Sequence, residues 1–576
     1  MAARRLRVLL LCHFTGSSAA TIVDHIEAFP SFSSNQYFVL SNQGDLPNWL
    51  DLSRFDALVV HYSLVVSYDT YISPQARQRI RDFPGFKAAF VQDDYRWIND
   101  TVDALAFMKI NALFPLVGAE IMDLVYSPDR LPNVRRHTVL TGYVPEELTR
   151  RLVPPFAARP MDVGYRARKL PAWIGSHVLQ KWQIADRFRA DAPKYGLKVD
   201  LSYHERDRMY GEAWVRFMTR CKAVLGTESG ASVCDFTGDI QRQVEAHLSR
   251  DPSASFETLR SLYFEQEDGR IMMNVISPRC FEAASLRTLM ILYEGEYSGI
   301  LKPWRHYVPL AQDHSNMDHI VEILRDPVAA QRIVDAAYQE VALNPAYTFR
   351  AMVGLVDQVM AEGFVESMAA TKFGYTEAEF NWRTHGAERD VSWLLKVSAP
   401  TGIASQAVLG DLLVDRPGKV PVTSQPDRSL PHKLQISCPS GIKVLGIHLH
   451  WATPQSAASE GEVFLLRRNR ILGAVRFGSA TPAYYSYIPL SPDLRKADTI
   501  EIVFAKYHGE TKMQLMDVRV DSSTLPLSER LRRLRRRLGG IVLYRLTNVW
   551  MALPMAVRSR MRRFARSAFE TVFGRL

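Results

Sequence analysis

Cysteine is scarce in this chain and unpaired in pattern: Cys12, Cys221, Cys234, Cys280 and Cys438 are the five in 576 residues, and no Cys-x-x-Cys occurs. An odd number at wide spacing disfavours a disulfide framework or a structural zinc site, and fits a reducing compartment. Long apolar runs are also missing, since no stretch approaches the roughly 18 apolar residues of a membrane-crossing helix. Ala-Arg-Arg-Leu-Arg at the start leads only into a short apolar run, 8–12, and then His13, so the opening reads as a first strand and not as an export signal. The turn after that run lacks Gly-x-Gly-x-x-Gly, which argues against an ordinary NAD-linked enzyme. The Gly226-Thr-Glu-Ser-Gly-Ala-Ser turn lacks the Gly-Lys-Ser/Thr of a triphosphate loop. Acidic residues spaced Asp-x-Asp after a strand are absent too; Asp93 and Asp94 are contiguous.

An apolar share of 47% with 23% charged residues is ordinary for a soluble globular protein, and the length calls for two or three domains. Charge is distributed unevenly. Thirteen arginines, no lysine and two acidic residues give 529–576 a charge of +11, against +10 for the whole chain, so residues 1–528 sum to −1.

Apolar runs suited to buried parallel strands recur at 6–12, 36–40, 57–62, 88–92, 112–116 and 138–141, with helical patterns at 21–29, 74–81 and 101–109 between them. Such alternation predicts a parallel sheet covered on both faces. Leu152-Val-Pro-Pro-Phe then reads as a stiff connection. A second α/β unit follows, with strands starting at Asp162 and Lys222 and at Leu289–Tyr293. The helix opening at Pro278 precedes the last of these, and helices at 317–324, 327–343 and 347–360 follow it. In open α/β sheets ligands gather beyond the carboxyl ends of the strands. The polar loop after Tyr293 accordingly offers Glu294, Glu296, Tyr297, Ser298, His306, Asp313 and Asn316. At the strand ends of the first unit, His13 and Asp93 are candidates for a base that takes a hydroxyl proton; capping of a strand and of a helix accounts for them equally. Glu228 and Ser229 read as the wall of a pocket, or as a tight turn.

The stretch 274–316 carries Arg279-Cys-Phe-Glu282-Ala, Tyr297-Ser298-Gly and His306-Tyr-Val-Pro-Leu-Ala-Gln-Asp313-His-Ser-Asn316. It resembles the carboxyl-terminal half of GT-B glycosyltransferases of the bacterial polysaccharide and spore-maturation type, over about 160–350. The resemblance implies α/β architecture with two Rossmann-like domains, an amino-terminal one for the acceptor and a second for a nucleotide-sugar donor. It also implies transfer without a metal or other cofactor and a terminal helix crossing back to the first domain. Glu282 would anchor the donor ribose, with Arg279 on the same helix. Arg166, Arg168 and Lys181 would surround the diphosphate, Arg166 foremost, and Glu228, Ser229, Tyr297, Ser298, Asp313 and Asn316 would line the donor. The family's first motif glutamate, eight positions before Glu282, is Asn274 here.

The expected domains are 1–154 for the acceptor, 155–365 for the donor, an irregular linker 366–432, a β-sandwich-like module 433–525 built on seven short strands, and a basic tail 526–576. Trp451, Tyr484 and Tyr485 in the module suit either sugar contact or packing. The tail interleaves arginines with Leu531, Leu534, Tyr544 and Trp550, which fits a helix lying on an anionic membrane; a partner helix or nucleic acid could use the same charge. These features lead to an expected glycosyltransferase, cytoplasmic and peripherally bound to the inner face of the plasma membrane, with a glycan or lipid-linked acceptor and no nucleic-acid partner. A non-catalytic sugar- or nucleotide-binding protein on the same fold is the alternative.

Overall fold

The computed structural model describes residues 4–15, 18–365, 368–370, 373–385, 396–401, 412, 422–423, 432–438, 442–468, 470–478, 481–491, 497–508 and 514–522. The basic tail lies outside these residues. Two compact units divide the chain, one of residues 1–46 and 52–371, the other of 47–51 and 372–576.

The first unit holds two parallel sheets. In the first lobe, β1 (Arg7–Cys12), β2 (Gln36–Ser41), β3 (Ala57–Val60), β4 (Phe86–Phe90), β5 (Ala112–Phe114) and β6 (Arg135–Arg136) run in the order β2-β1-β3-β4-β5-β6. Five successive buried residues in β1 and four in β3 are what a strand covered on both faces requires. The helix Pro74–Asp82 starts where its sequence says it should. Ser73 accepts a hydrogen bond from the Ala76 amide and Pro74 takes the first turn. The strand expected at 138–141 is instead the two-residue β6.

The second lobe contains β7 (Met161–Arg166), β8 (Val199–Ser202), β9 (Cys221–Gly226), β10 (Ser229–Ala231), β11 (Met273–Val275), β12 (Leu289–Tyr293) and β13 (Val308–Leu310). Its main sheet has the order β13-β12-β9-β7-β8, all parallel, while β10 and β11 form a separate antiparallel ribbon. Gly230 is required in that ribbon: its φ is +115°, and an added Cβ would lie 1.6 Å from the Met273 carbonyl oxygen.

The helix Phe349–Gly363, capped by the Thr348 side chain, returns to the first lobe. Met352, Val353, Val356 and Val359 share one core with Leu10, Val59 and Phe90. Asp357 on this helix accepts from Ser33 Oγ at 2.7 Å and from the Ser34 amide at 2.8 Å. The helix expected over 327–343 is α-helical only across Pro327–Ala337, and a π-helical turn, Tyr338–Ala342, completes it.

The second unit is a β-sandwich. Its strands among the described residues are β14 (Lys396–Thr401), β15 (Val422–Thr423), β16 (His432–Ser437), β17 (Val444–Trp451), β18 (Ala458–Arg467), β19 (Arg470–Phe477), β20 (Tyr485–Pro489), β21 (Thr499–Tyr507) and β22 (Gln514–Ser522). They form antiparallel sheets of order β14-β16-β21-β18-β19 and β15-β22-β17-β20, with Ile436, Ile447, Val463, Phe504 and Val518 in the shared core. The stretch expected to be an irregular linker supplies a helix, Glu377–His385, and two of these strands. Trp451 is 2% exposed and belongs to the core, so it presents no face to a sugar. Tyr485 shares a 2.6 Å hydrogen bond with His448 Nδ1.

Candidate functional site

Each parallel sheet has a point where successive strands are laid down on opposite sides of their predecessor, and side chains leaving the carboxyl ends there splay apart to leave a crevice. In the second lobe this point lies between β7 and β9, neighbours in the sheet although β8 intervenes in the chain. A cleft of about 210 Å³ opens there. The segment following β7 brings Arg168 to it, and the helix Gln180–Asp191 brings Lys181. The turn after β9 brings Thr227 and Ser229, and the start of the helix Pro278–Ser285 brings Ser277 and Arg279.

The charge of this cleft is one-sided. Among the described residues Arg168, Lys181 and Arg279 line it and no carboxylate does. Among the described residues none of the three forms an ion pair. Lys181 Nζ donates to Ser229 Oγ at 3.3 Å, and the Arg279 guanidinium lies 5.7 Å from the centre of the Trp214 ring. Burial, followed by the positive charges of Arg279 and Arg168, brings the Lys181 ammonium down from 10.5 to about 8. Three cations on one wall favour an anion that enters, although the Glu282 carboxylate, outside the lining, feels the charge of Arg279.

A second cleft of about 260 Å³ continues from the first, sharing Arg168, Leu170, Lys181 and Ser229 with it. Its far wall belongs to the first lobe: Thr21, Gln92, Asp93, Gly118 and Thr141. Asp93 is exposed to this space, and Tyr95 donates to its carboxylate at 3.3 Å. Its neighbour Asp94 is committed elsewhere. Asp94 accepts from the Leu116 amide at 2.9 Å and from the Tyr126 hydroxyl, and burial pushes its carboxyl up to about 7. His13 lines neither cleft; its amide donates to Ser63 Oγ at 2.8 Å.

The residues named from the sequence thus separate. Lys181, Ser229 and Arg279 meet at the first cleft, and Asp93 faces them across the second. Arg166 does not join them. It is the last residue of β7 and its side chain turns toward β8, pairing with Asp200 at 2.8 Å, donating to the Asp207 carbonyl at 3.2 Å and lying 4.3 Å from the centre of the Phe217 ring. Arg168, two residues on and past the strand end, takes the place assigned to it.

Glu282 also lies outside the cleft lining. Its carboxylate accepts from Trp214 Nε1 at 2.9 Å, and burial raises it above the usual carboxylate range. Asn274, in the place of the missing glutamate, does line the second cleft.

Glu228 is buried and accepts the Tyr297 amide at 2.7 Å, and burial raises its carboxyl. Tyr297 is fully buried and donates its hydroxyl to the Tyr293 carbonyl at 2.6 Å. Ser298 Oγ accepts the Ile276 amide at 3.0 Å. Tyr297, Ser298 and Gly299 have φ of 47°, 56° and 71°. Two non-glycine residues held in this conformation cost free energy, which the hydrogen bonds to Glu228 and Ile276 offset. This loop is therefore a latch behind the cleft. Asp313 and Asn316 close the turn after β13: Asp313 accepts the Ser315 amide at 2.9 Å, while Asn316 accepts from Ala311 at 3.0 Å and donates to Pro309 at 2.8 Å.

No family model matches the chain, and no curated protein does. Among solved structures, T4 phage BGT in complex with UDP-glucose matches 62% of this chain and 99% of its own, at 10% identity and a TM-score of 0.37. The family 32 carbohydrate-binding module from C. perfringens NanJ, in complex with galactose, matches 23% of this chain and 97% of its own, at 12% identity and a TM-score of 0.19. The Streptococcus pneumoniae fucose binding module SpX-3 matches 22% and 94%, at 9% identity and 0.19. The fold itself is a mixed α/β unit with two parallel sheets and a separate all-β region.

Proposed function

We propose that the chain is a glycosyltransferase of GT-B architecture that moves a sugar from a nucleotide-sugar donor to a glycan or lipid-linked acceptor. The observation that carries this reading is the first cleft, where Arg168, Lys181 and Arg279 converge with no carboxylate among them. In transfer, the acceptor oxygen bonds to the donor's anomeric carbon and its proton passes to Asp93. The bond from that carbon to the diphosphate breaks, and its electron pair leaves with the diphosphate. Negative charge grows on the diphosphate as that bond breaks, so fixed cations there stabilise the transition state more than the ground state. Asp93 stands across the adjoining cleft, on the side from which an acceptor hydroxyl would come. The arginine-rich 529–576 supports an acceptor at the inner face of the plasma membrane.

Thermal shift with UDP-, GDP-, ADP- and dTDP-sugars, followed by release of the nucleoside diphosphate, tests the reading. One of them raises the melting temperature, and Lys181→Met and Arg279→Met abolish both effects. No stabilisation by any of the four, nor by inorganic pyrophosphate, overturns it. Asn274 in place of a motif glutamate favours a second reading, a binding protein without turnover. That reading predicts stabilisation by a nucleotide sugar with no release of nucleoside diphosphate.

A further inference from the structure

The first lobe carries a third cleft, of about 240 Å³, that meets the second at Gln92 and Asp93. Its walls mix aliphatic and polar residues with five aromatic ones, Tyr62, Tyr68, Tyr71, Phe90 and Trp97. Trp97 is a fixed wall. Its φ of 50° is left-handed, its Nε1 donates to Gln241 Oε1 at 2.8 Å, and Gly238 packs so closely on its ring that a Cβ there would fall 2.6 Å away. Flat, rigid aromatic faces complement the C–H faces of a sugar ring and lose little entropy on binding one.

Three polar groups set what else the cleft can hold. Ser67 Oγ is buried with no partner. Among the described residues Asp93 is the one carboxylate in the lining, and Arg96 the one cation. Arg96 donates to the Tyr68 hydroxyl at 2.8 Å and lies over the Tyr68 and Trp173 rings, at 5.8 and 5.3 Å from their centres. Among the described residues it has no carboxylate partner. Asp93 and Arg96 belong to one turn, closed by the Arg96 amide donating to the Asp93 carbonyl at 3.4 Å.

We propose that this cleft takes the acceptor unit, and that the unit is a sugar ring bearing an acidic substituent, a carboxylate or a phosphate, held by the Arg96 guanidinium. This rests on the transferase reading, in which Asp93 is the base. The shared turn places the acidic substituent close to the hydroxyl that Asp93 deprotonates. Arg96 then offsets the repulsion between that substituent and the Asp93 carboxylate. Mixed polar and aromatic walls of this size suit one ring, and a lipid chain would have to extend outside them.

Saturation-transfer NMR on the full chain tests the idea with methyl β-D-glucuronide, glucose 6-phosphate and methyl β-D-glucoside. The wild type binds the glucuronide or the phosphate more tightly than the glucoside, and which of the two it prefers identifies the acidic group. Arg96→Gln weakens the acidic sugar by about tenfold, the size of a lost hydrogen bond to a charged group, and leaves the glucoside within about twofold. Pyrophosphate binding, unchanged in this variant, reports that the fold and the first cleft are intact. Equal binding of all three sugars by the wild type overturns the proposal, as does a preference that survives R96Q. Should R96Q lose pyrophosphate as well, Arg96→Lys decides: the preference kept supports the proposal, and the preference lost with pyrophosphate still bound overturns it. A wild type that binds acidic sugar but no pyrophosphate sinks the donor-site reading and leaves this cleft standing as an acidic-sugar site.

Discussion

Lys181→Met should make the ligand-free protein more stable while destroying its affinity for anions. In the unfolded chain the ammonium keeps its proton up to 10.5, and in the folded chain only to about 8. Between those values the unfolded state holds more protons, so this lysine's cost to stability is full below about 8 and vanishes as pH rises past 10.5. At about 1.4 kcal/mol per pH unit, an interval of about 2.5 amounts to a ceiling of about 3 kcal/mol at pH 7 and below about 1 kcal/mol at pH 10. At about 2 °C per kcal/mol for a unit of this size, the variant should melt about 4–6 °C above the wild type at pH 7 and only about 1–2 °C above it at pH 10. Differential scanning calorimetry at the two pH values, with and without pyrophosphate, measures this directly. Pyrophosphate should stabilise the wild type and leave the variant unmoved. A variant that melts lower than the wild type at pH 7, or a difference that does not narrow with pH, refutes the view of Lys181 as a cation waiting for its anion.

Arg168→Met should weaken pyrophosphate binding by about tenfold, the worth of one charge-assisted contact, whereas Arg166→Met should leave it within about twofold and lower the melting temperature; calorimetric titration separates the two. Gly295→Ala drives a Cβ to 2.6 Å from Glu228 Oε2 and should cost about 1–3 kcal/mol by chemical denaturation, because the carboxylate that holds Tyr297 must shift; an unchanged midpoint would mean the latch is loose. Deleting 527–576 should abolish co-sedimentation with vesicles of anionic phospholipid and leave nucleoside diphosphate release at its full-length rate, and sedimentation that persists would assign membrane contact to another part of the chain.

The sequence was legible where one short stretch decides its own fate. Leu289–Tyr293 is apolar at every position and bounded by polar residues, and it is a fully buried strand with those limits. All seven strands expected in the β module are present, because each is a short apolar or alternating run between turn residues. Lys181, Ser229 and Arg279, named from the sequence, come together at the first cleft because each sits at an element end. Arg166, put foremost by the sequence, is not at the cleft while Arg168 is, because Arg166 ends β7 with its side chain aimed at β8 and Arg168 lies two residues past it, and Asp200, which claims Arg166, lies 34 positions away. Glu228, Tyr297 and Ser298 look like pocket residues because they are polar and aromatic in a loop. Their hydrogen bonds run inward to partners 69 and 22 positions distant, which no local pattern discloses. Strand β14, Lys-Val-Ser-Ala-Pro-Thr, has too little apolar character and a proline, and its pairing with β16 makes it a strand.

The returning helix Phe349–Gly363 has a consequence for biosynthesis. The last strand of the first sheet, β6, ends at Arg136, but the face holding Leu10, Val59 and Phe90 is covered by Met352, Val353, Val356 and Val359. At about 5–20 residues per second, a ribosome needs roughly 10–45 s to add the intervening chain. For that interval the nascent first lobe exposes an apolar face of its sheet, the kind of surface that chaperones hold and that aggregation exploits. The second lobe, by contrast, is made in one piece within those seconds, so the lobe that carries Lys181 and Arg279 can mature before the part synthesised first.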